Sequence, residues 1–207
     1  MTPVRRVAGV AVALRRDNVD TDQLLPARFL KVPRQQGYGG FLLHDLRHDA
    51  EGRPVAGMPL NDPAHAGAKV LVARRAFGVG SSREAAVYAL VDFGIGAVVA
   101  ASFGDIFAAN AANNGLITAE VAEADIEVLL AAVATEGTAV VDLESCTVTS
   151  GRLTAPFTID PVRRTKLLNG WDDLDLTLSH HDAVTAFVAA DRIARPWAQE
   201  IPEVSGR

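Results

Sequence analysis

Lys69–Gly94 reads KVLVARRAFGVGSSREAAVYALVDFG. The run KVLVA is short, apolar and rich in β-branched residues, which predicts a buried strand. The apolar spacing of SSREAAVYALVDF predicts a helix, and Gly94 ends it, because glycine takes the left-handed conformation of a helix C-terminus without a steric cost. Strand, loop, helix and glycine make the first half of a βαβ unit, and the text then repeats it. AVVAA is a second buried strand, FGDIFAANAANNG a helix closed by Gly115, LITAEV a strand, and ADIEVLLAAVATEG another helix with a terminal glycine. Upstream, Val7–Leu14 predicts a first strand. Downstream, TAVVDL, CTVTSGRLTAPFTI and DLTLS read as strands with a hairpin turn at Ser150-Gly151, PVRRTKLLNG as a short helix, and HDAVTAFVAADRIARP as a closing one. Strands alternating with helices, followed by a β-rich stretch, define an α/β protein.

The 207 residues suit one large domain, and a 49% hydrophobic content is enough to bury a core. A net charge of −5 gives no field that would attract nucleic acid, so no DNA or RNA partner is expected. No apolar window reaches membrane-spanning length, and in MTPVRRVAGVAVALRRDN the apolar stretch is short and followed by charge, which predicts a strand instead of a signal. A single cysteine, Cys146, excludes an internal disulfide and any metal site built from several thiolates, and makes the cytoplasm the expected location. Cys146 itself lies in the strand-like CTVTS and reads as a small buried hydrophobe.

GVGSSRE, Gly78–Glu84, is the richest segment in chemistry. It lacks the G-x-S-x-G of a nucleophile elbow, and Ser81 stands where a phosphate loop would continue with lysine. A dinucleotide fingerprint fails too, since Arg83 occupies its third glycine position. The remaining reading is physical: glycines allowing close backbone approach, a serine capping the helix, and Arg83 and Glu84 in the first turn. A cation is unfavourable at a helix N-terminus unless an anion sits between, so an anion site and a plain capped helix both stand. DNVDTDQ offers Asp17, Asp20 and Asp22, but Gln23 and Phe29 stand where an EF-hand loop needs glycine and glutamate. It reads either as a plain turn or as a turn with one carboxylate directed into a cleft. His44 and His48 are four apart on FLLHDLRHD, which has helical spacing, yet HDLRH lacks the glutamate of a zincin. In HHDA, Asp182 reads as the cap of the last helix. KVPRQQGYGG, 31–40, is a mobile loop by its proline and glycine content.

Taken in order, DNVDTDQLLPARFLK, VARRAFGVGSSRE, SFGDIFAANAANNGLI, FTIDPVRRTKLLNG and DLTLSHHDA resemble the small-subunit family of bacterial 3-isopropylmalate dehydratase (isopropylmalate isomerase), relatives of the swivelling C-terminal domain of aconitase. The resemblance implies one swivelling β/β/α domain over 1–207, with a flexible specificity loop near 31–40 and a C-terminal helical tail. It implies Ser81 as the catalytic base, Asp22 as a second catalytic group, and Ser82, Arg83 and Arg34 as binders of a small hydroxy-dicarboxylate. It further implies a partner, a large subunit that carries the [4Fe-4S] cluster, with no metal held by this chain and no activity without that partner. Ala85, Val87, Tyr88 and Val79 depart from the family's pattern. The alternatives are therefore a hydro-lyase for another substituted malate, such as citramalate or homocitrate, and a non-catalytic anion-binding assembly module.

Overall fold

The computed structural model describes residues 1–198. Seven strands close into one barrel in the order β1-β2-β3-β4-β7-β6-β5: β1 Arg6–Leu14, β2 Val70–Ala73, β3 Ala97–Ala100, β4 Ile117–Val121, β5 Thr138–Asp142, β6 Thr147–Ser150 and β7 Leu153–Thr158. The first four run parallel, with Ala11 opposite Val70, Val70 opposite Ala97 and Ala97 opposite Ile117. β5, β6 and β7 are antiparallel to their neighbours, and β1 closes the ring by pairing antiparallel with β5, Ala8 opposite Val140.

Parallel neighbours need crossover connections, and helices supply them. α1 (Thr21–Leu24) and α2 (His44–Arg47) lie with several 3-10 turns between β1 and β2, α3 (Glu84–Phe93) follows β2, α4 (Asp105–Asn113) follows β3, and α5 (Glu123–Glu136) follows β4. Gly94 and Gly137 end α3 and α5 in the left-handed conformation, as their sequence positions predict. The parallel strands are buried on both faces, which is why they read as unbroken apolar runs. Leu71, Ala73, Val98 and Ala100 face one cluster with Ala86 and Leu90 of α3 and Phe107 of α4. Val70, Val72, Ala97 and Val99 face a second one with Ile126, Leu129, Leu130 and Val133 of α5 and Val141, Val148 and Phe157 of the antiparallel strands. One helix, α5, thus fills the face that the antiparallel strands wrap around.

α6 (Pro161–Asn169) is capped by the Asp160 carboxylate, which accepts from the Val162 and Arg163 amides at 2.9 Å, and ends at Gly170. The chain forms two compact units: the barrel unit, Met1–Trp171, and a second one starting at Asp172 that contains α7 (Asp173–Leu178) and α8 (His181–Ala194).

Four readings change. DLTLS is not a strand: its period-two alternation is overridden by a capping box, in which Asp172 accepts from the Asp175 amide and Asp175 from the Asp172 amide. FLLHDLRHD yields only the four helical residues of α2, because Leu43 precedes them at φ +50 and His48 leaves them extended. The N-cap of α8 is His180, with no side-chain cap, and Asp182 lies inside the first turn. Cys146 precedes β6 in a turn at φ +53 and is only half-buried, its thiol donating to the Leu143 carbonyl at 3.6 Å.

The role of α5 gives a direct test. Leu129 is fully buried whereas its neighbour Val128 is 54% exposed. Leu129→Ala is expected to lower the unfolding free energy by about 2–5 kcal/mol. Val128→Ala is expected to stay within about 0.5 kcal/mol of the parent, both read from urea midpoints.

Candidate active site

Beyond the C-terminal ends of β1, β2 and β3 the chain continues side by side. Asp20 bridges Val79 and Phe77 bridges Phe103, both in parallel sense. The Gly78 amide donates to the Val19 carbonyl at 2.7 Å, the Thr21 amide to Val79 at 2.9 Å, and the Gly104 amide to Phe77 at 2.9 Å. This approach leaves no room for side chains. A Cβ on Gly78, which has φ +72, would lie 2.2 Å from the Phe107 ring, and one on Gly104 would lie 2.6 Å from the Gly78 carbonyl oxygen.

The crossing sets the residues that sequence singled out. Thr21, 2% exposed, donates its hydroxyl to the Ser81 carbonyl at 2.9 Å and so fixes the backbone of the GVGSSRE turn from below. Asp22, the next residue, accepts a hydrogen bond from Arg83 Nη1. The Arg83 side chain is 23% exposed and that of Asp22 53%, so the pair lies at a rim in contact with solvent. Ser81 and Ser82 are exposed. Asp20 is used locally, capping α1 through the Gln23 amide at 2.7 Å, and Asp17 lies 3.5 Å from Arg75 Nε.

The expected serine cap is not what forms. The N-cap of α3 is Arg83, extended at φ −121 and ψ 100, and no side chain caps the helix. The serines precede the helix, where the Val79 bridge and the Thr21 hydroxyl on the Ser81 carbonyl tie the turn to the chain beyond β1. α4 starts at the same place, with Gly104 as its N-cap and again no side-chain cap. A cleft of about 290 Å³ is lined by Thr21, Gly80, Ser81, Arg83, Gly104 and Phe107, among others. Two uncapped helix starts and one guanidinium meet at it, which is a strong setting for a carboxylate. Asp105, in the first turn of α4, contributes the opposing charge.

Arg34 lies elsewhere. Segment 31–40, read as a loop, folds as 3-10 turns at Arg34–Gln36 and Gly39–Phe41. The Arg34 guanidinium carbon sits 3.4 Å from the centroid of the Tyr88 ring, and its Nη2 is 3.8 Å from Asp92 Oδ1. Burial and then the Glu84 carboxylate beside its hydroxyl push the Tyr88 phenol above its ordinary value, so the ring under the cation is neutral. The structure thus brings Asp22, Ser81 and Arg83 together, with Ser82 adjacent, and sets Arg34 on the flank of α3. Thr21 and Gly104 escape sequence reasoning. Both stand inside recognisable motifs, T-D and SFGD, but their roles are contacts with distant backbone.

The family profile described as Aconitase C-terminal domain matches residues 1–124, which places the chain and its seven-stranded barrel in that class. Within that class the chain belongs to the family of 3-isopropylmalate dehydratase small subunits. It is 41% identical over 207 residues to the protein named 3-isopropylmalate dehydratase small subunit 1 of Chromobacterium violaceum, spanning 99% of this chain and 98% of the relative. With the small subunit of Rubrobacter xylanophilus it shares 45% identity over 90% of this chain and 94% of the relative. A crystal structure titled 3-isopropylmalate dehydratase, from Methanocaldococcus jannaschii, superimposes with a TM-score of 0.58 at 28% identity, covering 78% of this chain and 87% of that one.

The steric claim at Gly78 separates from simple backbone strain. Gly37 has a similar φ of +79 but nothing within 4 Å of where an alanine methyl would stand, so Gly37→Ala measures conformational cost alone. That cost is expected at roughly 1–2 kcal/mol. Gly78→Ala is expected to exceed it clearly, in thermal or urea unfolding, because the Phe107 ring must also move.

Proposed function

We propose that this chain is the small subunit of a 3-isopropylmalate dehydratase, acting with a large iron-sulfur subunit to interconvert 2- and 3-isopropylmalate by dehydration and rehydration in leucine biosynthesis in the cytoplasm. The observation that carries the reading is the Arg83–Asp22 pair beside Ser81 at the uncapped start of α3. Among the described residues no helix is long and apolar enough to cross a membrane.

Dehydrating a malate removes a proton from the carbon beside one carboxylate and expels hydroxide from the neighbouring carbon, leaving an unsaturated diacid; returning water with the opposite regiochemistry completes the isomerisation. In this reading the Ser81 oxygen takes and returns the proton. Ser82 and Arg83 hold a carboxylate, with the α3 amides behind it, and Asp22 fixes the direction of the Arg83 fork. A serine alkoxide is costly, at about 1.4 kcal/mol per pKa unit. A helix terminus offsets at most about 2 kcal/mol. The rest has to come from the guanidinium and from the partner.

The [4Fe-4S] cluster supplies Lewis-acid assistance to the departing hydroxyl when the partner brings it. The residues of this chain do not fit a cluster: it has one cysteine, and among the described residues no group of three or more His, Cys, Asp or Glu side chains could hold a metal ion. In the proposed reading the cluster is carried by the large subunit.

Reconstitution with a cluster-loaded large subunit under anaerobic conditions, following absorbance of the unsaturated diacid, tests the assignment. Ser81→Ala is expected to lower kcat by about 10²–10⁴. Equal rates for Ser81→Ala and the parent would remove the serine from the chemistry, and turnover only with another malate would move the substrate to citramalate or homocitrate.

A further inference from the structure

Glu84, Tyr88 and Asp92 recur every fourth residue of α3 and so form one stripe on it, starting next to Arg83. This stripe carries the segment that precedes α2. The Tyr38 amide donates to Asp92 Oδ2 at 2.9 Å, and the Tyr38 hydroxyl donates to the Val32 carbonyl at 2.8 Å, closing the segment on itself. A Cβ on Gly39 would strike the Asp92 carbonyl oxygen at 2.6 Å, so loop and helix backbones are in direct contact. Tyr38 is 6% exposed, and its ring lies 6.5 Å from that of Tyr88.

Arg34 is held differently. One face of its guanidinium lies on the Tyr88 ring at 3.4 Å, Asp92 stands 3.8 Å from one nitrogen, and the side chain is 44% exposed. A cation gripped on one face and open on the other is placed for a further ligand. Glu84, which would otherwise compete for it, is engaged by the Asn114 side-chain amide at 2.8 Å and faces the Tyr88 hydroxyl. Tyr88 is one helical turn, about 5.4 Å, beyond Glu84. The Arg34 cation is therefore held against the same helix whose N-terminus bears Arg83.

We propose that Tyr88 and Asp92 are positioning residues for substrate recognition: Asp92 pins the 32–41 segment to α3 and the Tyr88 ring sets the guanidinium of Arg34 toward the part of the hydroxy-dicarboxylate that Arg83 does not hold. The inference rests on the function proposed above. It adds that recognition depends on an aromatic face that never touches substrate.

Two measurements test it on the full chain, alone and with its large subunit. In limited trypsin digestion, Asp92→Ala is expected to speed cleavage after Lys31 and Arg34 severalfold relative to the parent, whereas unchanged cleavage would overturn the pinning. In steady-state assays Tyr88→Leu is expected to raise KM for 3-isopropylmalate about three- to tenfold with kcat within twofold, while Tyr88→Phe, which keeps the ring, retains the parent KM. In an Arg34→Ala background Tyr88→Leu is expected to add nothing; an additive effect there, or an equal loss in kcat, would overturn the positioning role. Absence of turnover by the parent with every malate would instead defeat the proposed function, and the trypsin comparison would still decide whether the stripe holds the segment.

Discussion

The hydrogen bonds from the Gly78 amide to Val19 and from the Thr21 amide to Val79 hold two stretches of chain together that are far apart in sequence. They extend the parallel pairing of β1 and β2 past the last regular strand residues, where side chains begin to matter for chemistry. Without that pairing Asp22 would have no reason to meet Arg83, and Thr21 could not reach the Ser81 carbonyl. The same constraint demands the absence of side chains at Gly78 and Gly104, since the third stretch, entering α4, lies directly against the second. A parallel arrangement also forces a long excursion between β1 and β2, and the chain uses it to build the segment that carries Arg34.

That order of construction explains how much was legible. Apolar runs and terminal glycines located β2, β3, β4, α3, α4 and α5, because burial on both faces of a parallel strand and a left-handed helix end leave local marks. Closure of the barrel left none: it depends on Arg6–Val10 pairing with Thr138–Asp142, and both strands look the same whether paired or on an edge. DLTLS misleads because alternation is a statement about faces, whereas the reciprocal bonds of Asp172 and Asp175 decide backbone conformation from three residues earlier. Within the site, the segment GVGSSRE is recognisable, but its serine reads as a cap and is not one. The deciding interaction comes from Thr21, and a sequence window around Ser81 does not contain it.

Arg83 occupies an electrostatically awkward position. A cation at a helix N-cap opposes the helix dipole, and Asp22 offsets it from outside the helix. As a stabilising device the pair would be weak, since exposed ion pairs contribute about 0–1 kcal/mol. The arrangement makes better sense as orientation. A guanidinium has five N–H donors in a rigid fork, and Asp22 engages it through Nη1. A carboxylate that fixes one prong determines where the others point, at the expense of placing negative charge near an anionic substrate.

The same trade recurs along α3. Asp92 flanks Arg34 as Asp22 flanks Arg83, and in each case a carboxylate restrains a cation without enclosing it. A half-neutralised guanidinium attracts an anion less strongly than a free one, so Asp22 and Asp105 offset part of the pull that Arg83 and the two helix starts exert on a carboxylate. The serine base proposed for this cleft gains little from local electrostatics beyond the helix ends and the guanidinium, and proton transfer at a carbon beside a carboxylate demands more. The deficit is a property of an open half-site. In the proposed function a partner surface closed over it would exclude water and so strengthen these restrained charges without moving them. Weak clamps held in fixed directions therefore suit the proposed half-site, oriented before a partner closes over it and strong only once it has.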